Sequence, residues 1–135
     1  MMKQIHKILS VLILGSLLFV SCESRVEFKN AIVGRWLCDS VAVSILNIDG
    51  SVNRTVTKYS TEFSIEFFEN GKRAAGGEIE GEWNIDGNIL YVSFYDPALN
   101  NQEYFIEELN NKNLTIRYKG FFDYPRQVYY YSKMR

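Results

Sequence analysis

Beyond residue 33 the chain alternates apolar and polar side chains with a period of two, and it nowhere sustains a helical period. Glu78 to Asp86 reads EIEGEWNID: Ile79, Gly81, Trp83 and Ile85 share one parity, while Glu78, Glu80, Glu82 and Asp86 share the other. Thr61 to Phe67 puts Phe63, Ile65 and Phe67 on one side, and Leu114 to Lys119 does the same with Leu114, Ile116 and Tyr118. Such alternation gives a sheet one buried and one wet face, the habit of antiparallel strands. Turn formers separate the runs. Asn70-Gly71 and Asp86-Gly87 read as type I′ hairpin turns. Asp49-Gly50 reads as another turn, Leu109 to Asn113 as a longer loop, and Asp96-Pro97 as a strand end.

These signals predict strands at Val33–Leu46, Val52–Tyr59, Thr61–Phe68, Arg73–Glu80, Gly81–Asp86, Ile89–Tyr95, Glu103–Glu108, Leu114–Lys119 and Val128–Lys133, some of them merging or bending. The first should carry a bulge near Asp39-Ser40. Trp36 and Cys38 take one parity and Val41, Val43 and Ile45 the other, which one extra residue reconciles. Phe28 to Ile32 suits one helical turn plugging the base. An open sheet of this size would expose an apolar face, so the expected fold is all-β: a single antiparallel up-and-down barrel of about eight strands. The interior of such a barrel is filled by side chains or holds one small ligand.

The N-terminus reads as an address. Lys3, His6 and Lys7 precede a 13-residue apolar run, Ile8 to Val20. That run is shorter than the ~20 residues of a membrane span but fits a secretory signal. Phe19-Val20-Ser21-Cys22 resembles the bacterial lipobox, with Phe19 where leucine is usual. The resemblance implies cleavage before Cys22 and lipidation of its sulfur. The expected organisation is a signal peptide over 1–21, a lipidated tether over 22–31 and a barrel over 32–135. Two or more acyl chains suffice for stable anchoring. The expected location is the bacterial envelope, at the outer membrane; Ser24-Arg25 interrupts the acidic run that resembles a surface-export signal, and the side stays open.

Cleavage would leave 114 residues with 13 basic and 16 acidic side chains and no histidine. That balance excludes a basic nucleic-acid binder, and it removes histidine-dependent catalysis and histidine-ligated metal sites. No catalytic residue, metal site or cofactor is expected. The acidic residues 78, 80, 82 and 86 read as a solvated strand face. With Cys22 acylated, Cys38 is the one remaining thiol, read as buried and inert. Asp39-Ser40-Val41 resembles a short O-glycosylation motif.

Ile32-Val33-Gly34-Arg35-Trp36 resembles the Gly-x-Trp opening of lipocalins. With FFENGK at 67–72, GEWNIDGNILYV at 81–92, YFIEELNNKNLTIRY at 104–118 and YYYSK at 129–133, the chain resembles the small lipocalin-like lipoproteins of Bacteroidetes. The resemblance implies that Gly34 and Trp36 are a structural signature. It implies that Trp36 packs across the closed end under a basic residue, for which Arg126, Lys133 and Arg135 are candidates. The short chain speaks against a roomy cavity.

Nineteen aromatics among the 114 residues are an excess, and Tyr91, Tyr95, Phe121, Phe122, Tyr124 and Tyr129 to Tyr131 cluster late. They suit either a stacking surface or a filled core. Inward parity makes Phe63, Ile65, Phe67, Trp83, Leu90, Val92, Phe94, Leu114, Ile116 and Tyr118 the expected ligand contacts. The matching ligand is small and apolar or amphipathic. No Arg or Lys shares that parity in these strands, so a carboxylate head should sit at the rim. The competing expectation is a filled core with an outer surface, or the Phe121-Phe122 loop, contacting a protein or glycan. A cavity above ~300 Å³ lined by Phe63, Phe67, Leu90, Phe94 and Ile116 would favour the carrier.

Overall fold

The computed structural model describes residues 28–59 and 63–134. Its strands are β1 (Gly34–Leu46), β2 (Val52–Lys58), β3 (Ser64–Phe67), β4 (Lys72–Ala75), β5 (Glu78–Asp86), β6 (Ile89–Phe94), β7 (Gln102–Leu109), β8 (Asn113–Tyr118) and β9 (Arg126–Lys133). All neighbours are antiparallel, in the order β2-β1-β3-β4-β5-β6-β7-β8-β9, and β9 pairs back onto β1. Eight strands therefore close a meander barrel, as the alternation requires. β2 is the extra one. The long β1 gives Gly34–Leu37 to β3 and Ser40–Leu46 to β2. Above β3, the second edge of β2 has no strand partner among the described residues.

The β1 bulge falls where the parity switch places it. The register with β9 jumps between Cys38, opposite Tyr131, and Ser40, opposite Tyr130. Asp39 is the extra residue, and Val41 and Val43 then face inward opposite Tyr129 and Gln127. Ser40 of the glycosylation-like triplet is paired on both sides, to Lys58 and to Tyr130.

The hairpin turns differ from expectation in type. Positive φ occurs only at glycines among the described residues, so neither Asn70-Gly71 nor Asp86-Gly87 is type I′, which needs two positive φ values. Gly71 closes a three-residue loop over Glu69 to Gly71, with Gly71 N–H donating to Phe68 O and Phe68 N–H to Lys72 O. Asp86 pairs with Ile89, so that loop is Gly87-Asn88, with its positive φ on the first residue as in type II′. The turn with two positive φ values is Gly76-Gly77, at 58° and 85°. It cuts the expected strand Arg73–Glu80 in two, and Glu78 onward joins β5.

The lower end of the barrel is sealed. Residues 28–32 are helical, Ile32 is fully buried and Phe28 packs against the core. The plug draws on residues 28–31, the last of the expected tether. Cys22, the expected signal peptide and the rest of the expected tether lie outside the described residues. Trp36, completely buried, donates its indole N–H to Ile32 O at 2.8 Å. Lys133 lies over it, its Nζ 5.1 Å from the ring centroid and bonded to Val33 O at 2.9 Å and Ala31 O at 3.3 Å. Of the two basic candidates among the described residues, Lys133 covers the tryptophan. Arg126 lies against Tyr124 instead, and Arg135 is outside the described residues.

Candidate functional site

The ten expected ligand contacts separate by height. Ile65, Phe67, Leu90, Leu114 and Ile116 are at most 3% exposed, so essentially no water-sized space borders them; Val92 is equally buried but borders the groove described below. With Trp36, Ile32 and Cys38 they form the packed core, so of the two expected arrangements the filled one holds around Phe67, Leu90 and Ile116. Trp83 and Phe94 are half-buried; Trp83 meets Phe67 edge-on at 5.6 Å and donates its indole N–H to Phe68 O at 2.9 Å. Phe63 and Tyr118 are exposed at the mouth.

Above the core the inward face is lined by tyrosines. Tyr104 opposes Leu90 and Tyr118, and Tyr129 opposes Ile116. The Tyr104 ring meets Tyr118 and Tyr129 edge-on at 5.8 and 6.0 Å, and Tyr129 stacks on Tyr131 at 6.4 Å. Tyr104 donates to Gln102 Oε1, and Tyr129 to Gln127 Oε1 at 2.9 Å. Burial, then the neighbouring Tyr129, pushes the Tyr104 phenol up to about 12. Burial also raises Tyr129 and Tyr131.

A cation reaches this wall from β4, a strand that supplies none of the ten expected contacts. Phe67, Arg73, Gly81 and Phe94 oppose one another across β3, β4, β5 and β6, so Arg73 takes the inward parity of the buried Phe67. Its partner is Glu80. The β4–β5 register jumps between Arg73, opposite Gly81, and Ala74, opposite Ile79, which makes Glu80 the extra residue. The jump splits the predicted acidic face: Glu80 pairs with Arg73, whereas Glu82 faces Lys72. It also breaks the predicted apolar face, and Ile79 is 55% exposed.

A groove of about 700 Å³ crosses the outer wall to the mouth. Asn84, Tyr91 and Glu103 oppose one another on the outward face, and Lys119 is ion-paired to Glu103 at 3.1 Å. Trp83, Val92 and Tyr118 of the expected set also border the groove, with Gln102, Asn101 and the fully exposed Phe121. Parity alone could not find it, because it draws on both faces where β6, β7 and β8 end. Cys38 is buried and free; burial, with Asp39 next to it, holds its thiol up at about 11, so it is inert at neutral pH.

A closed antiparallel meander whose lower end is sealed by a tryptophan under a lysine defines a lipocalin-like barrel. The model of the lipocalin-like domain family matches residues 32–116, and the chain belongs to that family. It is similar to an uncharacterized protein from Bacteroides eggerthii, with a TM-score of 0.51 and 15% identity over 76% of this chain and 99% of that one. It is also similar to a lipocalin-like protein from Bacteroides uniformis, with a TM-score of 0.43 and 12% identity over 77% of this chain and 99% of that one. No curated protein matches it in sequence.

Proposed function

We propose that this protein is a non-enzymatic envelope lipoprotein, held at the outer membrane by a lipid on Cys22, that takes a small amphipathic molecule into the groove between its outer wall and its mouth. The groove carries the reading. Its volume of about 700 Å³ lies within the range of small-molecule sites. Its floor mixes Trp83, Val92, Tyr91 and Tyr118 with the amides of Asn84, Asn101 and Gln102, which suits a ligand with one apolar and one hydrogen-bonding face. A ligand held there leaves the packed core untouched. Residues 22–27 span at most ~20 Å, so the sealed base sits close to the bilayer and the mouth with its groove points away from it.

The test is an NMR titration of the full chain carrying Cys22→Ala with octyl glucoside below its micelle concentration. Saturable shifts at the Trp83 indole, Tyr91, Asn101 and Tyr118 are expected. Shifts confined to residues outside the groove, or none, overturn the reading. The filled lower barrel and the exposed Phe121-Phe122 pair favour a second one, a module that contacts an envelope protein or glycan through that loop. Shifts confined to Phe121 and Phe122 would move the assignment there.

A further inference from the structure

We infer that Arg73 is the anion-binding element of a separate site inside the barrel, one that takes a small aromatic or short-chain monocarboxylate head inward. The register fixes the placement: Arg73 stands in the inward row with Phe67 and Phe94, and its side chain is only 13% exposed. A guanidinium carries five N–H donors in a rigid fork. Glu80 occupies Nη1, and Nε is buried with no partner. An unmet buried donor on a charged group is costly, and the edge of the fork that contains Nε has the geometry to hold a carboxylate. The inward-facing lysine at the base, Lys133, is already committed to two backbone carbonyls, so Arg73 is the cation an entering anion would meet.

The surroundings set the size and orientation of the ligand. Opposite Arg73, Phe67 is packed, as is Ile65 opposite Ala75, and neither admits a tail on that side. Beside Arg73 lie Phe94, whose ring centre is 5.7 Å from the guanidinium carbon, and the phenols of Tyr104 and Tyr131, which feel its charge. The apolar part of the ligand therefore points up among aromatic rings toward Tyr129, reversing the head-at-the-rim orientation that sequence parity implies. Aromatic faces and limited depth select a ring or a short chain over a long acyl tail.

The test is calorimetric titration of the full chain carrying Cys22→Ala with 3-phenylpropanoate, hexanoate and 3-phenylpropanamide. The acids should bind at least tenfold more tightly than the amide. Glu80→Gln removes the resident carboxylate and should tighten acid binding. Arg73→Met should abolish the preference; because it leaves Glu80 without its partner, Arg73→Met with Glu80→Leu supplies the same readout in a charge-free wall. Equal affinity for acid and amide, no acid binding at millimolar concentration, or acid binding unchanged in the double variant each overturns the inference. Octyl glucoside shifts in the outer groove should persist in that double variant, which separates the fate of this site from that of the groove.

Discussion

Lys133 lies against Gly34 and over Trp36, and the three residues form one device. A Cβ on Gly34 would come within 2.9 Å of Lys133 Cε, and Gly34 also holds a φ of 132°. Glycine therefore leaves the lane through which the lysine stem reaches the indole, and the spacing of the Gly-x-Trp opening follows from that packing.

Two substitutions measure the device. Trp36→Ala removes a fully buried indole and its hydrogen bond to Ile32, at a cost of about 3–5 kcal/mol. For a domain of this size that lowers the melting temperature by roughly 10–30 °C. Lys133→Met keeps the stem but loses the ammonium and its two carbonyl partners, for about 1–3 kcal/mol. Thermal melts of both variants check the ranking; a Trp36→Ala shift of only a few degrees would mean the base is not the keystone described.

Gly81 should tolerate no side chain. A Cβ there would stand 1.9 Å from the Ser93 carbonyl oxygen and 2.9 Å from its carbon, both backbone. Relief requires parting β5 from β6, so Gly81→Ala should cost about 3 kcal/mol or more. Urea denaturation midpoints report it directly, and a change under 1 kcal/mol would contradict the close pairing of Gly81 with Phe94.

What the sequence discloses depends on where a bulge leaves a trace. At Asp39 the apolar parity itself switches, from Trp36 and Cys38 to Val41 and Val43, so the extra residue is readable. At Glu80 the pattern EIEGEW runs on without a break, although the pairing with β4 slips by one. Parity therefore sends Glu80 to solvent and Ile79 to the core, whereas the fold half-buries Glu80 against Arg73 and leaves Ile79 exposed. Arg73 escapes for a related reason: Gly76-Gly77 falls inside the predicted strand Arg73–Glu80, which hides the short β4 and the face it presents. Three glycines at 76, 77 and 81 were the available warning, since glycine inside a strand marks a turn, a bulge or a close approach. The base was legible because Gly34, Trp36 and Ile32 are local to one another. The groove was not, because it forms where both faces of three strands meet.

Alkaline pH should loosen the fold through its buried thiol and phenols. The Cys38 thiol is held at about 11 against an ordinary 9.0, chiefly by burial, and the Tyr104, Tyr129 and Tyr131 phenols are raised in the same sense. The neutral forms are the ones that fold. Stability from these groups is thus complete below about pH 9 and is lost as pH climbs through 11. Melting temperatures at pH 7.5, 9 and 10.5 should be flat at first and then fall, and Cys38→Ala should shallow the earliest part of the fall. A melting temperature that rises between pH 9 and 10.5 would contradict the burial assigned to this cluster.

The anchor is tested at Cys22. The basic start, the 13-residue apolar run and Ser21-Cys22 resemble a lipoprotein signal, and the proposed reading takes from them export followed by acylation of one sulfur. Each buried methylene contributes about 0.8 kcal/mol, so two or three acyl chains hold the protein on a membrane essentially without release. Cys22→Ala removes the acceptor and leaves the barrel, which the structure describes from Phe28 onward, unaltered. The wild-type chain should sediment with membranes and partition into detergent. The variant should be found in the soluble periplasmic fraction with an unchanged melting temperature. Mass spectrometry of the wild-type N-terminal peptide should show acyl groups on Cys22. Membrane sedimentation of Cys22→Ala in detergent-free buffer would mean that something other than a lipid on this sulfur holds the protein there.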